Sequence, residues 1–192
     1  MRFLPITSPQ FDDAELAALR ACLESKWVTQ GPLTRQFEDL FARRHQVAHA
    51  LAATSCTAAL HLATAALGLG SGDEVVVPAF TWVTSAHSAE YAGAKAIFAD
   101  VDLHTFNLDP QAFAAAVTPR TKAVVVVHLF GLAACLDELL EIARRHSLHV
   151  IEDAACAVGT TYRGRPVGGF GDLGCFSFHP RKVITTGDGG MV

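Results

Sequence analysis

Four consecutive valines, Val124–Val127, restrict what this chain can fold into more than any other stretch. Neighbouring side chains of a strand point to opposite faces, so an unbroken apolar run is stable only where both faces are covered. The run from Lys122 to His128 therefore predicts a central strand buried on both sides. Comparable runs recur at Glu74-Val75-Val76-Val77, Lys95–Asp100, Leu148–Glu152 and Leu173–Phe178. Helical segments lie between them: Ala58-Ala59-Leu60-His61-Leu62-Ala63, Thr81–Tyr91, a short helix opened by Asp109-Pro110, and a helix striped by Leu136, Leu139, Leu140 and Ala143. This alternation predicts an α/β domain, a mostly parallel sheet covered by helices. With 51% hydrophobic and 18% charged residues, the 192-residue chain can bury one sizeable core.

The N-terminal part reads differently. Asp12-Asp13-Ala14-Glu15 has the form of a capping box, and Leu16, Leu19 and Leu23 follow at helical spacing. A loop, Lys26–Pro32, carries Trp27, and a second helix shows Phe37, Leu40 and Phe41 on one face. His49–Ala52 ends a short strand, and Thr54-Ser55-Cys56-Thr57 leads into the next helix. Pro166–Gly174 is a glycine-rich connection within the same domain.

Several function classes are disfavoured. The net charge of −4, without a basic tract, argues against nucleic acid. Apolar runs broken well short of a membrane span, and an N-terminus without an extended apolar segment, argue against insertion or secretion. Five cysteines (Cys22, Cys56, Cys135, Cys156, Cys175) form no CxxC pair, which fits a reducing cytoplasm. The histidines form no HExxH pair, so no metal site is expected.

In an open α/β sheet, ligands sit beyond the carboxyl ends of the strands. The Thr54–Thr57 turn, Trp82, Asp153 and Lys182 each follow a strand. Lys182, after Ser177-Phe178-His179-Pro180-Arg181, is either a loop lysine or a desolvated amine suited to Schiff-base chemistry. Asp153 caps the next turn or holds a ligand cation. The Thr/Ser-rich helix start is a plain cap or an anion site. Trp82 is a core aromatic or a ring for stacking. His128 and His179 orient a site group or are satisfied structurally.

The motifs in order carry a resemblance. Trp27-Val28-Thr29-Gln30-Gly31-Pro32, Ser55-Cys56-Thr57-Ala58-Ala59-Leu60, Pro78-Ala79-Phe80-Thr81-Trp82, Val127-His128-Leu129-Phe130-Gly131, Ile151-Glu152-Asp153-Ala154-Ala155 and Ser177–Lys182 with Thr186-Gly187-Asp188-Gly189-Gly190 together resemble the DegT/DnrJ/StrS sugar aminotransferases, pyridoxal-phosphate enzymes of fold type I. The resemblance runs from residue 3 to the last residue. It implies that Lys182 is the Schiff-base lysine and proton shuttle, and that Asp153 pairs with the protonated pyridine nitrogen. It implies that Ala155 leaves room beneath the ring, that Trp82 stacks on its other face, and that Cys56, Thr57 and Ser177 hold the phosphate. Cys156 stands where a glutamine frequently contacts the cofactor's phenolic oxygen, Cys56 where glycine is frequent, and Asp188 where glutamate is usual.

What the family implies beyond the site is a nucleotide-linked keto sugar as acceptor, glutamate as amino donor, a cytoplasmic homodimer, and no nucleic acid or membrane partner. Family members run to roughly twice this length. The expectation is therefore that residues 1–192 form one incomplete cofactor-binding large domain, lacking a C-terminal small domain, inactive and poorly folded in isolation. Residues 189–192 are expected to begin a strand with nowhere to go. Two alternatives stand beside transamination. One is a sugar dehydratase of the same family, which usually carries histidine in the lysine position. The other is a non-catalytic binding or regulatory subunit.

Overall fold

The computed structural model describes Pro5 and residues 7–192. Helices α1 (Asp13–Glu24) and α2 (Pro32–His45) precede strand β1 (Ala52–Ala53). Then follow α3 (Cys56–Ala66), β2 (Glu74–Pro78), α4 (Thr84–Tyr91), β3 (Lys95–Ala99), α5 (Pro110–Ala116), β4 (Thr121–Val127), α6 (Leu136–Arg145) and β5 (His149–Asp153). A small hairpin, β6 (Thr161–Tyr162) and β7 (Arg165–Pro166), leads to β8 (Leu173–Ser177) and β9 (Gly190–Met191). Among the described residues, seven strands form one sheet in the order β1-β9-β8-β5-β4-β2-β3. The block from β8 to β3 is parallel throughout.

The valine runs explain this arrangement. Val124 and Val126 pack with α2, α5 and α6 on one face, and Val125 and Val127 pack with α3 and α4 on the other. Val75, Val77 and Ile151 share the α3–α4 face, while Val76 and Val150 share the opposite one. Each such valine is nearly or fully buried, worth about 1.5–3 kcal/mol relative to exposure. No helix of the described residues is long and apolar enough to cross a membrane.

Four details depart from the sequence reading. The helix expected over Thr81–Tyr91 starts only at Thr84, leaving Thr81 and Trp82 on a loop. Residues 189–192 do find a place: β9 runs antiparallel between β8 and β1, with Met191 fully buried. Gly190 makes this possible, since a Cβ there would lie 2.5 Å from the Ser55 carbonyl at the start of α3. On α2, Phe41 is buried and Phe37 half-buried against Phe176 and Phe178, but Leu40 is exposed.

The last departure concerns α1. Its capping box forms as expected, Asp12 accepting from the Ala14 amide and Glu15 from the Asp12 amide, both at 2.7 Å. Leu16, Leu19 and Leu23 nevertheless stay exposed, and α1 buries no side chain against the described residues. Helical spacing sets which residues share a face; it does not supply the surface that covers them.

The fully buried Leu139 of α6 packs in the core on the α2, α5 and α6 face and is not among the residues lining the strand ends that hold the candidate site. Leu139→Ala is expected to lower the unfolding free energy by about 2–5 kcal/mol in denaturant titration, while leaving ligand binding at those ends unchanged.

Candidate functional site

The carboxyl ends of β4, β5 and β8, the loop after β2 and the N-terminus of α3 converge on one cavity of about 720 Å³. Asp153, Lys182, Cys156, Ser177, Thr57 and Trp82 line it together with Cys56 and Ala155. All eight residues singled out from the sequence therefore meet at one place. A second cavity of about 550 Å³ lies between α2 and α3 beside Leu51 and Val192, with a mostly apolar wall. It gathers no comparable set of reactive groups.

Asp153 is the last residue of β5 and is buried. Its Oδ2 accepts from the Ser85 hydroxyl at 2.7 Å and its Oδ1 from the Ala155 amide at 3.2 Å. Burial pushes its carboxyl above the usual carboxylate range; the Ser85 and Ala155 hydrogen bonds and the Lys182 charge oppose this. A second cationic group brought against Asp153 would favour the ionised form. Ser85 went unrecognised in the sequence. Its hydroxyl also bonds Thr81 Oγ1 at 3.1 Å, so the loop carrying Trp82 is tied to the carboxylate.

Lys182 follows β8 on a turn closed by its amide donating to the His179 carbonyl at 2.8 Å. Its Nζ donates to Cys156 Sγ at 3.1 Å. Its charge bears on both Asp153 and Cys56, which places the amine among the groups that gather at the strand ends.

The α3 helix start is capped by Ser55, whose Oγ accepts from the Ala58 amide at 3.1 Å. The amides of Cys56 and Thr57 precede the first intrahelical donor, so they have no partner within the helix. They and the positive end of the helix dipole offer an anion site at the cavity wall. The Cys56 side chain is buried, and burial drives its thiol well above the ordinary range. Cys56 therefore offers its backbone and not its sulfur. Ser177 ends β8 and is buried, its Oγ accepting from the His179 amide at 3.4 Å.

Trp82 is 74% exposed at the rim, which excludes the core reading. Phe80 stands nearby on the same loop, its ring 5.5 Å from that of Phe106. Phe130, 80% exposed, adopts a left-handed φ of 53°, a strained backbone for a residue with a Cβ.

Both histidines line the cavity, and their hydrogen bonds lie within the protein. His128 Nε2 donates to Glu152 Oε2 at 2.9 Å, and its Nδ1 accepts from the Ala134 amide at 3.2 Å. Both ring nitrogens are thus used within the protein. His179 Nδ1 accepts from the Arg181 amide at 3.2 Å and shapes the Lys182 turn. His45 and His49 stand four residues apart, but His45 ends α2 and directs Nδ1 to the Val167 carbonyl. No group of ligating side chains among the described residues could hold a metal ion.

Glu152, adjacent to Asp153, was not singled out from the sequence. It is fully buried, and its Oε2 takes the His128 ring and the Gly168 amide while its Oε1 takes the Phe170 and Gly171 amides. Burial disfavours its charge, yet these donors and the His128 ring outweigh burial and hold the carboxyl below the usual range. A lowered carboxyl stabilises the fold above the ordinary carboxylate range, and this contribution is lost as pH falls through the lowered value. Glu152→Gln, which turns an amide toward backbone N–H donors, is expected to cost about 2–4 kcal/mol near neutral pH. Denaturant titrations should show the gap between variant and wild type closing in acid.

Comparison with known proteins is consistent with this geometry. The sequence profile of the DegT/DnrJ/EryC1/StrS aminotransferase family matches residues 9–192. The chain is 47% identical over 190 residues to GDP-perosamine synthase of Caulobacter vibrioides, covering 98% of this chain and 51% of that protein. It is 46% identical to spore coat polysaccharide biosynthesis protein SpsC of Bacillus subtilis, covering 99% and 49%. The PLP-form structure of Spr1654 from Streptococcus pneumoniae superposes with a TM-score of 0.95 at 32% identity, over 98% of this chain and 52% of that one. The chain spans about half the length of these relatives.

Proposed function

Since this chain belongs to the DegT/DnrJ/EryC1/StrS aminotransferase family and has the sheet of fold type I aminotransferases, we propose that residues 1–192 form the cofactor-binding large domain of a pyridoxal-phosphate-dependent sugar aminotransferase. The observation that carries the reading is the meeting, at the ends of adjacent strands β5 and β8, of a buried carboxylate and an amine beside a helix N-terminus.

The residues present fit the cofactor. A helix N-terminus with two amides outside the helical bonding pattern suits a phosphate dianion. A buried carboxylate suits a protonated ring nitrogen, and an exposed indole suits an aromatic face. When bound, pyridoxal phosphate supplies a carbonyl for amine chemistry and a ring that takes up electron density. The remaining tasks belong to the chain. Cys56 and Thr57 amides would hold the phosphate, and the Ser177 hydroxyl would add a donor. Asp153, kept in place by Ser85, would pair with the protonated ring nitrogen. Trp82 would offer its exposed indole to the ring, and Ala155 would leave room for it. Lys182 Nζ would supply the amine and would hold the proton of the donor's α-carbon.

The acceptor in this reading is a nucleotide-linked keto sugar; the name of the Caulobacter relative, GDP-perosamine synthase, points to a nucleotide-linked sugar for that protein. Glutamate is the donor, and the working enzyme is a cytoplasmic homodimer. The intact Lys182 supports transfer over dehydration, and its place in the same cavity as Asp153 supports catalysis over a purely binding role.

In the full-length protein, incubation with glutamate and a 4-keto sugar nucleotide should release 2-oxoglutarate and an amino sugar, both read by mass spectrometry. Lys182→Ala is expected to reduce turnover by at least about 10²–10⁴-fold. Asp153→Asn should weaken pyridoxal-phosphate binding in equilibrium titration and lower turnover, whereas a variant that binds and turns over like wild type would overturn the assignment.

A further inference from the structure

The five cysteines occupy different environments, and one stands apart. Cys56 and Cys175 are buried, and burial drives both thiols well above the ordinary range. Cys135 is raised as well, by burial first and then by the Glu138, Asp102 and Asp109 carboxylates. Cys22 turns its Sγ to the Trp27 carbonyl at 3.3 Å, away from the cavity. Cys156 alone combines partial exposure, a place on the wall of the large cavity and an amine at 3.1 Å.

A thiol in contact with an amine is arranged for proton transfer, and it is the thiolate that attacks electrophiles. We propose that Cys156 and Lys182 form a redox-modification site, in which a peroxide oxidises Cys156 and the adjacent Nζ of Lys182 captures the oxidised sulfur in a reversible sulfur–nitrogen bond. The chemistry concerns the two side chains alone and holds whether or not Lys182 serves amino transfer.

The steps balance. In the first, Cys156 Sγ attacks one oxygen of hydrogen peroxide; the S–O bond forms and the O–O bond breaks. Sulfur loses two electrons, the peroxide gains them, and the thiol proton leaves with the departing hydroxide as water. In the second, the Nζ lone pair attacks the sulfenic sulfur; the N–S bond forms, the S–O bond breaks, and hydroxide leaves with an amine proton as a second water. Thiol, amine and one peroxide thus give one sulfenamide and two waters. Two equivalents of an external thiol reverse the bond and are themselves oxidised to a disulfide.

The sulfur already touches the nitrogen, so closure needs a contraction of a contact that exists and no movement of β5 or β8. The bond removes the amine of Lys182 from the cavity wall. Any ligand that engages Nζ should in turn deprive Cys156 of its base and slow the first step.

The test uses the cofactor-free full-length chain, treated with limiting hydrogen peroxide, digested, and mapped by mass spectrometry. Expected is a covalent link between the peptides carrying Cys156 and Lys182, lighter by two hydrogens than their sum. It should be released by dithiothreitol and suppressed when pyridoxal phosphate is added before the peroxide. Cys156→Ser and Lys182→Arg should both lack the link. Lys182→Arg should also accumulate Cys156 sulfenic or sulfinic acid, detected by dimedone labelling or mass, which shows that the thiol remains reachable in a folded variant. Oxidation of wild-type Cys156 to sulfinic acid without a link would overturn the proposal. So would oxidation of Cys56 or Cys175 at the same rate as Cys156.

Discussion

The two-residue period of strand β5 separates two adjacent carboxylates onto opposite faces of the sheet, and the rest of the site depends on that separation. Val150 and Glu152 face the side packed by α2, α5 and α6; Ile151 and Asp153 face the side packed by α3 and α4. Glu152 meets a ring nitrogen and three backbone amides, which compensate its burial and hold it ionised. Asp153 meets one hydroxyl and one amide, too few to offset its burial, so its carboxyl is raised. Neighbours in sequence thus take different work: one fastens the fold, and the other is left short of a cation.

The fastening matters for the site. By taking the Phe170 and Gly171 amides at 2.6 and 2.7 Å, Glu152 fixes the segment that leads directly into β8. β8 in turn delivers Ser177 and, one turn later, Lys182. A Cβ at Gly168 would lie 2.2 Å from the Phe176 ring, and its φ of +88° suits glycine alone, so this segment tolerates little change. The relative placement of amine and carboxylate is therefore set by the strand ladder and by a buried charge that never touches the cavity.

Much of this was legible in the sequence because the signals are local. Apolar runs reveal buried strands, and a residue soon after such a run stands at the ligand-binding edge; Asp153 and Lys182 are legible that way. Ser85 was not legible, since its value arises from a contact across 68 positions made when α4 docks on β5. The pairing of His128 with Glu152 is likewise long-range, and from sequence alone the histidine could orient a site group or be satisfied structurally. The strand start at residues 189–192 was legible, but its place was not, because the slot between β1 and β8 is made by strands distant in sequence. The leucine stripe of α1 is the converse: a strong local signal whose covering surface lies outside the described contacts.

The most direct test of the account is chemical trapping: add pyridoxal phosphate to the full-length protein, reduce with borohydride, and map the labelled lysine by peptide mass spectrometry. The account predicts the label on Lys182, and its loss from Lys182→Ala. A label on Lys26, Lys95 or Lys122, or none on a folded protein that still binds the cofactor, would contradict it.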